Sequence, residues 1–273
     1  MSMAPRDPGL PPPPGSVATS FGPSGVWGLP EAGIGWITAQ VLATASVLAV
    51  LAVGDWSLYR TERPGGNLGR AFGQLHTDQP LQDDTIPILW QFATFIPAWA
   101  GLLGAAWLAA YVANRSRPGW KITATGGDVA EGLLAGVLLQ IPIIPLLYYA
   151  ITEIFGELAP TGRALALVDA VDSPIKVVAL FFAIAVAAPV VEELFYRGLV
   201  QRALVDRLGP VAGVSIASLI FGAVHFSWTE LPALTVVGLV LGWLYHRSGR
   251  LGAPIIAHMT FNAFTLAALL ASA

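Results

Sequence analysis

The sequence predicts an all-α, polytopic membrane helical bundle of about seven to eight transmembrane helices with a polar cavity inside the membrane. Three observations lead there. Of 273 residues, 55% are hydrophobic and only 11% are charged, whereas a soluble domain carries about 25% charged residues. Mean hydropathy is +0.67. Seven apolar segments recur along the chain, and most reach the ~20 residues that a spanning helix needs.

The elements follow in order. Residues 1–30 hold Pro5, Pro8, the run Pro11 to Pro14, Pro23 and Pro30. Such a stretch reads as a disordered, Pro/Gly-rich tail. With one Arg and no apolar core before Ala32 it does not read as a signal peptide. Apolar segments follow at about 32–53, 86–112, 130–152, 175–197, 208–227, 231–247 and 251–271. The chain divides into the tail (1–30), N-terminal transmembrane helices (31–130) and a C-terminal transmembrane domain (131–273). Pro97, Pro142, Pro145 and Pro189 interrupt segments and predict kinks. No internal repeat is visible, so an inverted-repeat transporter gains no support.

Composition narrows the partners. Net charge is −3 without a basic cluster, which argues against nucleic acid. Cysteine is absent, which removes disulfides, thiol nucleophiles and Cys-ligated metals. Nine Trp suit the aromatic belts of a lipid bilayer. Arg115, Arg117 and Lys121 follow the second segment, Arg202 and Arg207 the fourth, Arg247 and Arg250 the sixth. Alternating spans put these on one face, which predicts a multi-pass cell-membrane protein with a cytoplasmic N-terminus. Arg60, Arg63 and Arg70 in the first loop work against that bias.

The stretch Val190-Val191-Glu192-Glu193-Leu194-Phe195-Tyr196-Arg197 stands out. A charge inside a span costs at least ~2.5–3.5 kcal/mol, so it faces a partner or a water-filled cavity. Glu193 and Arg197 are i and i+4 with the acid first, the favourable order for an ion pair. Glu192 sits about 100° round the helix and has no basic residue at i+3 or i+4. Pro189, three residues earlier, frees a backbone carbonyl beside the two carboxylates.

Of four His, His76 and His246 read as solvated. His225 ends the fifth segment, and His258 lies in the last with Asn262 one turn on, at i+4. None has a local polar partner beyond that. Glu and His together can deprotonate a water. His and Asn can donate to a developing oxyanion. A carboxylate and two imidazoles (Glu192, His225 and His258) can also bind zinc and activate its water. Both routes lead to acyl hydrolysis, most simply of a peptide bond. His-Glu-x-x-His, Gly-x-Ser-x-Gly, Walker and Gly-x-Gly-x-x-Gly patterns are all missing. Gly238-x-x-x-Gly242 reads as a close-packing element of the sixth helix.

Glu192-Glu193-x-x-x-Arg197, Phe221-x-x-x-His225 and His258-x-x-x-Asn262, in this order, resemble the three signature motifs of the CPBP family. These are the CAAX-protease and bacteriocin-processing intramembrane proteases, including the type II CAAX prenyl endopeptidases. Phe-Tyr-Arg-Gly after the Glu pair and Gly-Ala-Pro-Ile before the last His fit too, and the likeness covers roughly residues 175–271. The resemblance implies an intramembrane endopeptidase acting on a CAAX-type or other membrane-associated peptide, lipidated or not. It implies that Glu192 and His225 activate the water, that His258 and Asn262 stabilise the oxyanion, and that Glu193 and Arg197 support the site. The family has been described both as metal-dependent and as metal-free. Asn262 beside His258 leans towards no cofactor, because Asn is a poor zinc ligand and a good oxyanion donor. Two alternatives stay open: a non-catalytic immunity or scaffold protein of the same fold, and a proton-coupled transporter, since intramembrane Glu and His also serve proton relays.

One geometric condition follows. If the fourth and fifth segments cross straight and separately, Glu192 lies near the cytoplasmic side and His225 near the other, and they never meet. The catalytic reading requires the fourth helix to run on through Arg202–Arg207, the fifth to start elsewhere, or the kink at Pro189 to intervene.

Overall fold

A computed structural model describes residues 29–54, 88–112, 119–156, 171 and 173–272. Residues 1–28 of the Pro-rich tail, His76, Arg60, Arg63, Arg70, Arg115 and Arg117 lie outside them, and the last two residues assigned to the tail, Leu29 and Pro30, open the first helix. Among the described residues there are seven helices and no strand: α1 (Leu29–Gly54), α2 (Ile88–Val112), α3 (Gly126–Phe155), α4 (Pro174–Leu208), α5 (Pro210–Ala223), α6 (Leu231–Ser248) and α7 (Gly252–Ser272). The protein is an all-α polytopic bundle. Helices α1, α3, α4 and α7 are long and apolar enough to cross a membrane, and α5 and part of α2 are shorter apolar helices.

The seven helices fall on the seven expected segments, with one consequential difference. The fourth does not stop near Arg197 but continues to Leu208. Arg202 and Arg207 are charged enough to suggest a loop, yet helix persists around them, and Arg207 Nη1 donates to the Ala203 carbonyl at 3.1 Å. Gly209 then ends α4 at φ 80°, a conformation that suits glycine. Pro210 opens α5, where a missing N–H costs nothing. The α4–α5 connection is therefore a sharp reversal. Glu192 stands 16 residues before Leu208 and His225 15 residues after Pro210. At ~1.5 Å per residue each is some 22–24 Å from the turn, so the two motifs return to one level. The condition set by the sequence is met by the length of α4.

Helix α4 is not uniform. Two wide, π-helical turns, Phe182–Ala187 and Tyr196–Gln201, flank the segment Ala188–Phe195 that carries the carboxylates. Such turns are rare and concentrate at functional sites. A third, Leu139–Ile143, sits in α3 around Pro142.

Small residues set the closest approaches. A Cβ on Gly132 would lie 2.7 Å from Ile256 Cβ, and one on Gly136 2.5 Å from Thr260 Cβ. Gly132-x-x-x-Gly136 is thus the seat of α7 on α3, a pattern of the kind that drives helix packing in lipid. A Cβ on Gly238, of the pattern read from the sequence, would meet Ser218 of α5 at 2.9 Å, and one on Gly242 would meet Gln201 of α4 at 2.7 Å. Polar ties close one end of the bundle. Thr125 and Asp128 form a capping box at the start of α3. Asp128 also accepts two bonds from Arg250, at 2.8 and 3.0 Å. Arg247 pairs with Glu131, and Leu251 N–H donates to Lys121 O at 2.8 Å.

Candidate active site

The site is built where α4, α5 and α7 face one another. Glu193 and Arg197 form the ion pair their spacing predicts, at 2.9 Å, with 0% and 2% of their side chains exposed. The same Glu193 Oε1 accepts a second bond from His258 Nδ1, again at 2.9 Å. One carboxylate oxygen thus holds two donors, which fixes Glu193 as an acceptor and His258 as the Nδ1–H tautomer or the imidazolium. The sequence pairs His258 with Asn262 and Glu192 with His225, and does not show this link. It joins residues 65 apart, and no local spacing announces it.

Glu192 points elsewhere. It is the less buried carboxylate, 22% exposed, and its Oε2 lies 3.9 Å from His258 Nε2. The His258 ring therefore stands between the two carboxylates, bonded to one and facing the other.

Phe221 is the hub of the cluster. The Arg197 guanidinium sits over its face, 4.4 Å from the centroid, a cation–π contact. The rings of Tyr196, His225 and His258 meet it edge-on at 5.3, 5.1 and 5.6 Å. Phe221 was visible as the first residue of a short motif, but its spacing alone gave no role. His225 lies in the turn after α5. Its Nδ1 donates to its own helix at Phe221 O, 2.7 Å away, because a carbonyl only accepts. In the neutral ring this leaves the Nε2 lone pair free. Among the described residues no carboxylate is within 4.0 Å of His225. The structure brings His225 to the cluster through Phe221, not by direct bonding. The next residue, Phe226, holds φ at 51°, unusual for a non-glycine residue.

Asn262 is on the same face of α7 as His258, one turn on, and its Nδ2 donates to Ile184 O in the first wide turn of α4 at 2.9 Å. Below the carboxylates, Arg197 Nη2 and Gln201 Nε2 donate to the carbonyls of Gly238 and Gly242, at 3.3 and 2.8 Å. This is a two-rung ladder between α4 and α6. Gln201, 1% exposed, is another residue with no sequence signal.

Zinc requires three or four converging donors. Among the described residues no group of three His, Asp or Glu side chains is arranged to hold a metal ion. The donor set as it stands does not fit a metal. An apolar groove of about 750 Å³ lies apart, between α3, α5 and α6, and includes none of the six site residues.

Comparison with known proteins adds the following. Residues 174–264 match the family described as "Type II CAAX prenyl endopeptidase Rce1-like". A protein of Bacillus subtilis (strain 168) named "Putative membrane peptidase YdiL" is 32% identical over 81 residues, covering 30% of this chain and 33% of its own. A second from the same organism, "Uncharacterized protein YpbD", is 33% identical over 76 residues, covering 26% of this chain and 36% of its own. The chain thus spans about a third of the length of the curated relatives it matches. No solved structure matches it. Residues 174–264, over which the chain is similar to the Rce1-like family, carry Glu192, Glu193, Arg197, His225, His258 and Asn262.

Proposed function

We propose that the chain is an intramembrane endopeptidase that hydrolyses a peptide bond in a CAAX-type or other membrane-associated peptide. The observation that carries this reading is the chain of contacts Arg197–Glu193–His258, buried at every member, with the more open Glu192 beside it. Arg197 compensates the charge of Glu193, which leaves Glu192 as the more open carboxylate, available to act on water. That division of labour between neighbouring carboxylates is what acid–base catalysis needs.

In the proposed reaction Glu192 takes a proton from water, aided by the free Nε2 of His225, and the hydroxide adds to the carbonyl carbon. His258 donates to the oxyanion from Nε2. Its Nδ1–H is committed to Glu193, so this donation needs the imidazolium, and the Glu193 carboxylate stabilises that charge. Asn262 has one Nδ2 hydrogen left after Ile184 O and adds it to the oxyanion. The proton held by Glu192 passes to the leaving amine as the C–N bond breaks. No step passes through a metal. The end bearing Arg247, Arg250 and Lys121 faces the cytoplasm, which places the N-terminus there as well.

The test is cleavage of a farnesylated CAAX peptide by purified protein, beside Glu192→Ala, with and without a strong chelator. Cleavage by the wild type in chelator, lost in the variant, is the expected result. Loss in chelator with recovery on adding zinc would move Glu192, His225 and His258 into a metal site. Failure of the wild type on prenylated and unprenylated peptides alike would refute the protease reading and leave the scaffold alternative.

A further inference from the structure

Pro189 sits where α4 changes register. In the wide turn before it, bonds run from each N–H to the carbonyl five residues back, and the last of them is Ala188 N–H to Ala183 O. The next donor in that register is residue 189 and the next acceptor is Ile184 O. Residue 189 is proline and has no N–H to give. Ile184 O is therefore left without its helical partner in an apolar span, where an unpaired carbonyl is costly. The amide of Asn262 fills that place at 2.9 Å.

We infer that Asn262 is a positioning residue: its side chain replaces the missing Pro189 N–H and holds the α4 bulge from which Glu192 and Glu193 project. Three features support it. The bulge ends two residues before Pro189, and the carboxylates follow three and four residues after that proline. A bulge shifts helical register by one residue, about 100° of rotation between the segments it joins. Beyond the site, α4 is pinned to α6 by the Arg197 and Gln201 bonds, so loss of the bulge would be taken up on the Glu192 side. Finally, α7 grips α4 on both sides of Pro189, through Asn262 on Ile184 and His258 on Glu193. The same helix thus sets the bulge and meets the carboxylate that the bulge aims.

The effect on catalysis rests on the protease reading, whereas the effect on the helix does not. The experiment reads the two separately, in purified full-length protein in lipid nanodiscs. Hydrogen exchange over residues 182–196 and peptide cleavage are measured for wild type, Asn262→Ala, Pro189→Ala and the double variant. Asn262→Ala should speed exchange over 182–196 and lower turnover roughly tenfold or more, as loss of one bond to a buried carbonyl implies. Adding Pro189→Ala to Asn262→Ala returns an N–H to the register and should restore protection over 182–196, while turnover stays low because the oxyanion donor is still missing. If Asn262→Ala does not accumulate, recovery of folded protein in the double variant is the supporting result, and no recovery overturns the inference. Unchanged exchange in Asn262→Ala, or a double variant no better protected over 182–196 than the single, also overturns it and leaves Asn262 acting only at the oxyanion. Should no peptide be cleaved by the wild type, the exchange data decide the inference alone.

Discussion

Removal of Glu193 is the sharpest test of how the site is held together. In Glu193→Ala the guanidinium of Arg197, 2% exposed, loses its ion-pair partner. What remains is a long bond to Gly238 O at 3.3 Å and the face of Phe221. His258 Nδ1 loses its acceptor at the same stroke. Breaking a buried pair from one side costs about 3–5 kcal/mol, because a charge is left without compensation. Replacing both members by apolar residues of similar volume is often neutral or better. Glu193→Leu/Arg197→Met still strands the His258 donor, worth about 1–3 kcal/mol. The expected order is wild type most stable, Glu193→Ala lower by about 4 kcal/mol, and the double variant between them. Unfolding by SDS in mixed micelles, followed by intrinsic Trp fluorescence, reads these differences directly. A Glu193→Ala protein within about 1 kcal/mol of wild type, or a double variant no more stable than the single, would show that the pair is not the electrostatic centre of the fold.

Other outcomes follow from the same coordinates. Glu192→Gln should lower peptide turnover by about 10²–10⁴, the usual worth of a general base, with stability unchanged because the side chain is 22% exposed; turnover retained in a folded variant would remove Glu192 from the mechanism. Gly136→Ala drives a Cβ to 2.5 Å from Thr260 and should cost about 1–3 kcal/mol, whereas Gly104→Ala meets open space and should be neutral or slightly stabilising in the same unfolding assay. Asp128→Ala removes the carboxylate half of the α3 capping box, which accepts from Thr125 N–H, and the acceptor of Arg250. It should cost about 2 kcal/mol, and Arg250→Ala less, since the Arg250 side chain is 36% exposed.

Much of the architecture was legible because hydropathy alone marks segments that must avoid water. All seven helices lie on apolar runs, and Glu193 with Arg197 follows from helical spacing. The end of α4 was not legible. Arg202 and Arg207 look like loop residues, and only the Gly209-Pro210 pair marks the true boundary. The wide turns were not legible either, since a proline in an apolar run marks a kink without fixing its register. Pro189 announces an orphan carbonyl, but not that Asn262, 73 positions later, takes it. The Glu193–His258 bond and the hub at Phe221 are likewise products of three helices meeting. Gly132-x-x-x-Gly136 was readable in principle, as a small-x-x-x-small pattern within an apolar run, and went unread beside the more obvious Gly238 pair.

The brevity of α5 reaches beyond the fold. Its 14 residues rise about 21 Å, well short of the ~30 Å hydrocarbon layer, while the helix before it rises more than twice as far. The irregular stretch that follows, with His225 in it and Trp228 88% exposed, is then brought down to hydrocarbon depth. Non-helical backbone is tolerated there only against protein or beside water, and a short hydrophobic length thins the surrounding bilayer. A hydrolase working among lipid tails has to be supplied with its second reactant. On the proposed protease reading, a truncated helix would lower the aqueous boundary towards the imidazole, and water would arrive through a local depression of the membrane rather than along a pore.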